Sequence, residues 1–420
     1  MCKSRKSIDV AQPRLSRQPQ SRQSQRTSKS FESSLPVDPS SGDNFINSSS
    51  NIHSHQSSSY SKSSISSRSS LSSLRDSLPE NPHIYGFPDV CVATNNFHAK
   101  PFSSSSSSSS WHCTLQGKDV IIFQRKLRRS MELADLCRKL SVICRSHHSS
   151  LIKLLGASMS GNYIYLVYDF TEGANLANCL RNPKNPSFTV LSKWVSRMQI
   201  AADLAHGLDY IHHCSGLETG FTHNHIKSTS IIIAEDSFNA KICHFGTAEL
   251  CGEVTETSKT DSNSKSLVRT GSKVMRIEGT RGYMAPELQF SGMVTQKCDV
   301  YAFGVVLLEL LSGQESLRYV VDEESGGYSR VSVIDSAKVA VADGVGGVRK
   351  WVDKRLKDSY PLEVAEKMVE LALECLEEDP AKRPDMGLVV GRISKLYLES
   401  NNWAEKLGMP IDFSVSLAPR

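Results

Sequence analysis

Lys241-Ile242-Cys243-His244-Phe245-Gly246 is the stretch on which the reading of this chain turns, together with His223-Asn224-His225-Ile226-Lys227-Ser228-Thr229-Ser230-Ile231-Ile232 upstream of it. Each sets a histidine among small and apolar neighbours. Neutral imidazole accepts a proton near pH 7, so His225 and His244 are candidates for chemistry. What they can do depends on the frame built around them.

Working outward, 420 residues are enough for two or three ordinary domains, yet the composition leaves room for one. Residues 1–82 are dominated by serine with scattered Arg, Lys, Gln and Pro, too little apolar surface to offset chain entropy, and are expected to be a disordered tail. Within its first thirty residues, Lys3, Arg5, Lys6, Arg14, Arg17, Arg22, Arg26 and Lys29 face only Asp9. A thioacylated Cys2 beside that basic stretch would supply the two signals needed for membrane attachment; the plainer alternative is a solvated tail. The residue after Met1 is not glycine, which excludes N-myristoylation. No secretory signal or spanning run is present, the best candidate, Val300–Leu311, being short and broken by Glu309. An intracellular chain is expected, cytoplasmic or at the inner face of the plasma membrane. Its eleven cysteines lack paired spacing and are expected to be reduced, and the net charge of +5 gives no reason to expect a nucleic-acid partner.

From His83 onward the hydrophobic period changes in a fixed order. Asp119–Phe123 and Tyr163–Phe170 are strand-like apolar runs. Between them, Met131–Cys144 sets Leu133, Leu136, Leu140 and Ile143 on one helix face. After Gly173 the pattern is mainly helical: Trp194–His213 presents Val195, Met198, Ala202, Ala205 and Leu208, and Leu362–Glu378 presents Val364, Met368, Leu371 and Cys375. An α+β fold of two lobes follows, strand-rich over about 83–170 and helical over about 171–400, with 401–420 as a C-terminal extension.

Further signatures stand along the same stretch: Ala93-Thr94-Asn95-Asn96-Phe97, Cys144-Arg145-Ser146-His147-His148, Leu151-Ile152-Lys153-Leu154-Leu155-Gly156, Leu166-Val167-Tyr168-Asp169-Phe170, Gly279 to Glu287, Asp299 to Val305, and Arg383-Pro384. In this order they resemble the protein-kinase domain of plant receptor-like kinases, the LysM receptor-like subgroup in particular. The resemblance implies a bilobal kinase fold in which Tyr168 is the gatekeeper and Tyr168, Asp169 and Phe170 form the hinge, the candidate nucleotide contact. It makes Glu287 and Arg383 a buried ion pair, Asp299 the anchor of the catalytic loop, and His223 and Phe245 members of the stack linking the lobes.

The same resemblance marks what has changed. His225 stands where the family has its catalytic aspartate, Ser230 at the metal-binding asparagine, His244 at the metal-binding aspartate, Phe123 at the phosphate-pairing lysine, and Lys139 at the glutamate that pairs with it. The glycine-rich loop is replaced by Pro101-Phe102 and the serines Ser103 to Ser110, a run that defines no single loop geometry. Arg125 shares the strand face of Phe123 and is either a displaced cation or part of a solvated basic edge with Lys126, Arg128 and Arg129. Mg²⁺ favours carboxylate and water oxygens over imidazole nitrogen. Loss of base and metal together should lower a turnover of roughly 1–100 s⁻¹ by at least ~10⁵. No catalytic residue, metal or cofactor is therefore expected; zinc on His223, His225 and His244 is the chemically allowed exception. Gly344-Val345-Gly346-Gly347 resembles a phosphate loop only in letters and reads as a turn.

Thr247 to Arg276 is rich in Ser, Thr, Lys and Arg and is expected to be mobile and open to phosphorylation. The function expected is that of a receptor-like cytoplasmic pseudokinase, a scaffold or allosteric partner of active receptor kinases. The alternative is a weak serine/threonine kinase using ATP and Mg²⁺ through displaced groups.

Overall fold

Along Lys118–Lys126, Val120 and Ile122 are buried on one side while Ile121, Phe123 and Arg125 are half-buried on the other, a period of two that sets which way the first sheet faces. The computed structural model describes residues 82–104, 108–181, 190–214, 216, 220–235, 237–254, 279–321, 327–344 and 346–408. Cys2 with its basic neighbours, the hydroxyl-rich residues 255–278 and residues 409–420 lie outside them.

Six strands build the N-terminal lobe: β1 (His83–Ile84), β2 (Ser103–Ser104), β3 (Ser109–Leu115), β4 (Lys118–Lys126), β5 (Leu154–Ser160) and β6 (Tyr163–Asp169), in the order β1-β5-β6-β4-β3-β2. Pairing of Ser103 with Ser110 and Ser104 with Ser109 corrects the expectation of an undefined serine run: its ends are held as a hairpin on β4. Helix α1 (Phe87–Ala93) carries Pro88 in its first turn and ends where Thr94 Oγ1 donates to the Val90 carbonyl at 2.8 Å. Asn95, Asn96 and Phe97 then turn through positive φ, which seats the Phe97 ring against Trp111 and Tyr165 at 5.1 and 5.3 Å. On the opposite face of the sheet lies α2 (Leu133–Cys144), burying Leu136, Leu140, Ile143 and Cys144. Leu133, expected on that face, is exposed at the first residue of the helix.

The second lobe starts with β7 (Gly173–Asn175) and α3 (Leu176–Arg181) and is built on α4 (Trp194–Asp209), which continues into a π-helical turn over Tyr210–Cys214. Strands β8 (Ile231–Ala234) and β9 (Ala240–Ile242) join β7 in a small sheet. They are followed by α5 (Thr247–Leu250), α6 (Pro286–Ser291) and α7 (Gln296–Ser312), the last buried on nearly every side. A hairpin of β10 (Leu317–Val321) and β11 (Tyr328–Ser332) leads into α8 (Val333–Ala342), α9 (Gly347–Trp351), α10 (Leu362–Cys375) and α11 (Met386–Lys406). Helix α11 packs along α4 and runs past residue 400: the Trp194 indole donates to Ser400 Oγ at 2.9 Å and Ala404 is buried, so a boundary at 400 cuts a continuous helix. Gly344 and Gly346 have positive φ and form the turn between α8 and α9.

Glu287 and Arg383 meet in a two-pronged pair at 2.6 and 2.8 Å, and the guanidinium also donates to the Glu377 and Lys297 carbonyls and lies 5.0 Å from the Tyr301 ring centre. Arg383→Ala would strand that carboxylate and lower unfolding free energy by about 3–5 kcal/mol in a urea titration. Lys367→Ala, at the exposed 3.5 Å pair with Glu399, should change it by about 0–1 kcal/mol.

Candidate functional site

Two loops meet between the lobes, and Asp299 at the buried start of α7 positions the first. Its Oδ2 accepts the His223 backbone N–H and its Oδ1 that of Asn224, both at 2.7 Å, with His212 Nε2 3.1 Å from Oδ2. Burial pushes the Asp299 carboxyl up, but His212 and His223 together bring it below its ordinary value. His223 joins the two loops. Its Nε2 lies 2.8 Å from the Cys243 carbonyl, which can only accept, and its Nδ1 lies 3.2 Å from the His225 N–H, which can only donate. That fixes a neutral Nε2–H tautomer and leaves neither ring nitrogen for a metal. Phe245 is buried against the Phe221 ring at 5.6 Å.

Phe123, from β4, presents its ring edge-on to His244 at 4.6 Å and to Tyr168 at 5.8 Å, so aromatic surface fills the centre where the resemblance puts a lysine and a carboxylate. The buried Tyr168 hydroxyl donates to the Phe245 carbonyl at 2.8 Å and lies 2.9 Å from Thr247 Oγ1. Burial drives its ionisation far above the usual range. Asp169 and Phe170 follow on the chain. Their backbone N–H groups donate to the Lys153 and Asp119 carbonyls at 2.9 and 3.3 Å, and the Phe170 ring stacks on His112 at 3.8 Å.

Beyond His244 the chain makes a turn that only glycine tolerates, with Gly246 at φ +82° and a Cβ there meeting Ile143 of α2 at 2.7 Å. The expectation of a mobile segment beginning at Thr247 is corrected here: α5 follows at once, and Thr247, Ala248 and Leu250 are buried. Glu249 of α5 pairs with Lys139 of α2 at 2.7 Å, both half-buried. Glu253 then reaches the first loop, its Oε2 standing 3.0 Å from His225 Nε2, off the direction of an N–H bond, and accepting from Asn224 Nδ2 at 3.2 Å. Burial raises its pKa, yet His225 first, then Arg128 and Arg125, bring it down to about 2.

Arg125 is not part of a solvated edge. It lies on the cleft side of β4, its Nε is buried, and among the described residues it has no hydrogen-bond or ion-pair partner. His244 Nδ1 and Ser230 Oγ are likewise buried without partners, and each such group costs about 1–3 kcal/mol when left unsatisfied. Burial, then Arg125, His225, His223 and Lys227, hold His244 neutral. Lys227 stands half-buried, 3.2 Å from Thr280 Oγ1, its pKa lowered by burial and by Arg125. These donors do not fit Mg²⁺, which needs several oxygens in octahedral array. Among the described residues, no three His, Cys, Asp or Glu side chains converge as a metal ligand set.

Sequence reasoning singled out Phe123, Lys139, His225, Ser230 and His244, and the structure gathers His225, Ser230, His244 and Phe123 in one cleft, with Lys139 on the helix beside it. It missed Glu249 and Glu253. A lysine where the resemblance expects a glutamate is the signal that an acid from elsewhere should face it.

The protein kinase domain family matches residues 117–391, and the chain belongs to that family. It is similar to the LysM domain receptor-like kinase 3 of Arabidopsis thaliana, 31% identical over 337 residues that cover 78% of this chain and 48% of that protein. Chitin elicitor receptor kinase 1 of Arabidopsis thaliana is 32% identical over 321 residues, 76% of this chain and 47% of the relative. The chain thus spans about half the length of these curated relatives, as a kinase-domain member of the receptor-like kinase family. In fold it is similar to the pseudokinase domain of BIR2, an immune regulator of the RLK/Pelle family, with TM-score 0.56 and 23% identity over 82% of this chain and 99% of that one. Among the described residues, no helix is long and apolar enough to cross a membrane.

Charge reversal tests the Lys139–Glu249 contact. Lys139→Glu and Glu249→Lys should each lower stability, and the double exchange should recover about 1 kcal/mol of coupling in a double-mutant cycle of urea unfolding. A pH titration tests His223, whose pKa is lowered by burial from 6.5 to about 4. Between those values the unfolded chain binds more protons than the folded one, so this contribution is complete above 6.5 and falls by about 3 kcal/mol as pH drops to 4. In His223→Gln that part of the slope should disappear.

Proposed function

We propose that this chain acts as a pseudokinase, a scaffold or allosteric partner of active receptor kinases in signalling. The observation that carries this reading is the Phe123–His244 contact at 4.6 Å. By the resemblance, these two uncharged rings stand at positions where phosphoryl transfer needs a cation on the phosphates and an oxygen ligand for the metal. Glu253 supports it by sitting against His225, where a substrate hydroxyl would have to approach. The frame nevertheless keeps Asp299, Glu287 and Arg383 in their contacts, as a surface read by partners requires. A kinase fold alone does not imply kinase chemistry, and the BIR2 domain is a pseudokinase on the same fold. Attachment to the inner membrane face through Cys2 and the basic tail, and phosphorylation of the hydroxyl-rich segment, belong to the same reading.

The second reading, a weak serine/threonine kinase using ATP and Mg²⁺, draws on the inward position of Arg125. Melting with ATP, in the presence and absence of Mg²⁺ or Mn²⁺, followed by radiolabelled transfer to a protein substrate, separates the two. We expect no metal-dependent shift, and transfer at least ~10⁵ below a normal turnover of roughly 1–100 s⁻¹. Metal-dependent labelling lost in His225→Ala would establish the weak kinase.

A further inference from the structure

A groove of about 530 Å³ lies where residues 145–150, between α2 and β5, meet the end of α4, and it shares no lining side chain with the cleft. That volume falls within the roughly 300–1,000 Å³ of binding pockets. Its walls are tied together: the Tyr210 hydroxyl accepts the His147 backbone N–H at 3.0 Å, and the Tyr210 ring lies 5.1 Å from that of His148. The Ser150 N–H donates to His148 Nδ1 at 3.1 Å, so the neutral imidazole carries its proton on Nε2 as a donor. Leu151 and the two rings supply apolar surface. Lys153, at the start of β5, is the cation that lines the groove, and the acid that lines it, Asp209, stands 2.7 Å from His213 Nδ1.

The chain itself enters from this side. Strand β1 runs parallel to β5 with His83 opposite Gly156 and Ile84 opposite Ala157, so the direction leading back from His83 is the direction leading from Gly156 to Lys153. Gly156 admits the entering strand: a Cβ there would stand 1.9 Å from the His83 carbonyl oxygen. Glu80 precedes His83 by the same number of residues as Lys153 precedes Gly156, and equal lengths of extended chain rise equally, at about 3.3 Å per residue. Upstream of Glu80 the sequence reads Leu71-Ser72-Ser73-Leu74-Arg75-Asp76-Ser77-Leu78, three leucines at three- and four-residue spacing within the serine-rich tail.

We propose that this groove is the seat of the chain's own segment 70–81, with Glu80 meeting Lys153 and the leucines covering Leu151 and the rings of His148 and Tyr210. Three features select that occupant: the direction of entry, the opposite charges of Glu80 and Lys153, and a run of leucines beside an apolar wall. A ligand on so short a tether also needs little intrinsic affinity, because its effective concentration is of millimolar order.

Hydrogen–deuterium exchange of the full chain, read by mass spectrometry, provides the test. Amides of residues 70–81 are expected to exchange at least ~10-fold more slowly than those of residues 40–60. Leu78→Ser and Glu80→Lys should each abolish that difference and speed exchange at residues 147–149. Lys153→Glu should do the same, and the paired charge reversal Lys153→Glu with Glu80→Lys should restore the protection; Lys118→Glu, at the exposed start of β4, should leave it unchanged. Should Lys153→Glu melt below wild type, Leu78→Ser and Glu80→Lys carry the test. Light scattering over the same concentrations separates the occupants: protection in a monomer supports seating within one chain, whereas protection that appears only as a dimer forms would assign the segment to a second copy and overturn the proposal. Exchange of residues 70–81 at the rate of residues 40–60, protection indifferent to Glu80→Lys, or protection lost in Leu78→Ser with no response at residues 147–149 would each overturn it as well.

Discussion

The buried carboxylate of Asp299 is the point from which the cleft is hung. It takes two backbone N–H groups of the first loop and stands next to His212, so the path of His223-Asn224-His225 is set by a charge that cannot move without losing all of these contacts. Because His223 in turn donates to the Cys243 carbonyl, the constraint passes into the second loop and determines where His244 and Phe245 stand. Cleft geometry is thus maintained by groups that take no part in phosphate chemistry.

Rearrangement of charge follows a consistent direction. The acids that the resemblance assigns to the floor of the cleft are imidazoles, and the acids that do occur there come from the segment after Gly246. Lys139 faces Glu249 in place of the glutamate–lysine pair of an active kinase. Glu253 stands 3.0 Å from His225 Nε2. Tyr168 adds an uncharged tie, its hydroxyl bonded to the Phe245 carbonyl, so the start of the segment is fixed from the sheet, from α2 and from the first loop.

Much of the frame was legible because it rests on local periodicity. The two-residue alternation of β4, the α2 face of Leu136, Leu140 and Ile143, and the α10 face of Val364, Met368, Leu371 and Cys375 all lie where hydrophobic spacing puts them. The Glu287–Arg383 pair followed from family order and forms as that order implies. What escaped has non-local causes. Helix α5 is four residues long, too short for a periodic signal, and Glu249 reaches Lys139 only through the turn at Gly246. Strand parity placed Arg125 with Phe123, but which face looks into the cleft depends on how the second lobe packs. Leu396, Ser400 and Ala404 carry the spacing that extends α11 past residue 400, a signal obscured by the polar residues between them.

The segment after Gly246 is held by interactions of two different strengths, and this bears on what can release it. Ile143 packs where any side chain at position 246 would have to go, so the turn itself belongs to the core and yields only with it. The two carboxylates beyond it are held by partly buried charge contacts, of a kind worth about 1 kcal/mol each in exposed settings and more when desolvated. Reversing a two-state equilibrium from 1:99 to 99:1 takes about 5.5 kcal/mol of differential binding. Such a sum is within reach of a partner surface that competes for the same contacts, and well below what is needed to undo the core. Release should therefore begin at Glu253 and proceed toward Glu249, leaving Gly246 and the loops tied to Asp299 in place.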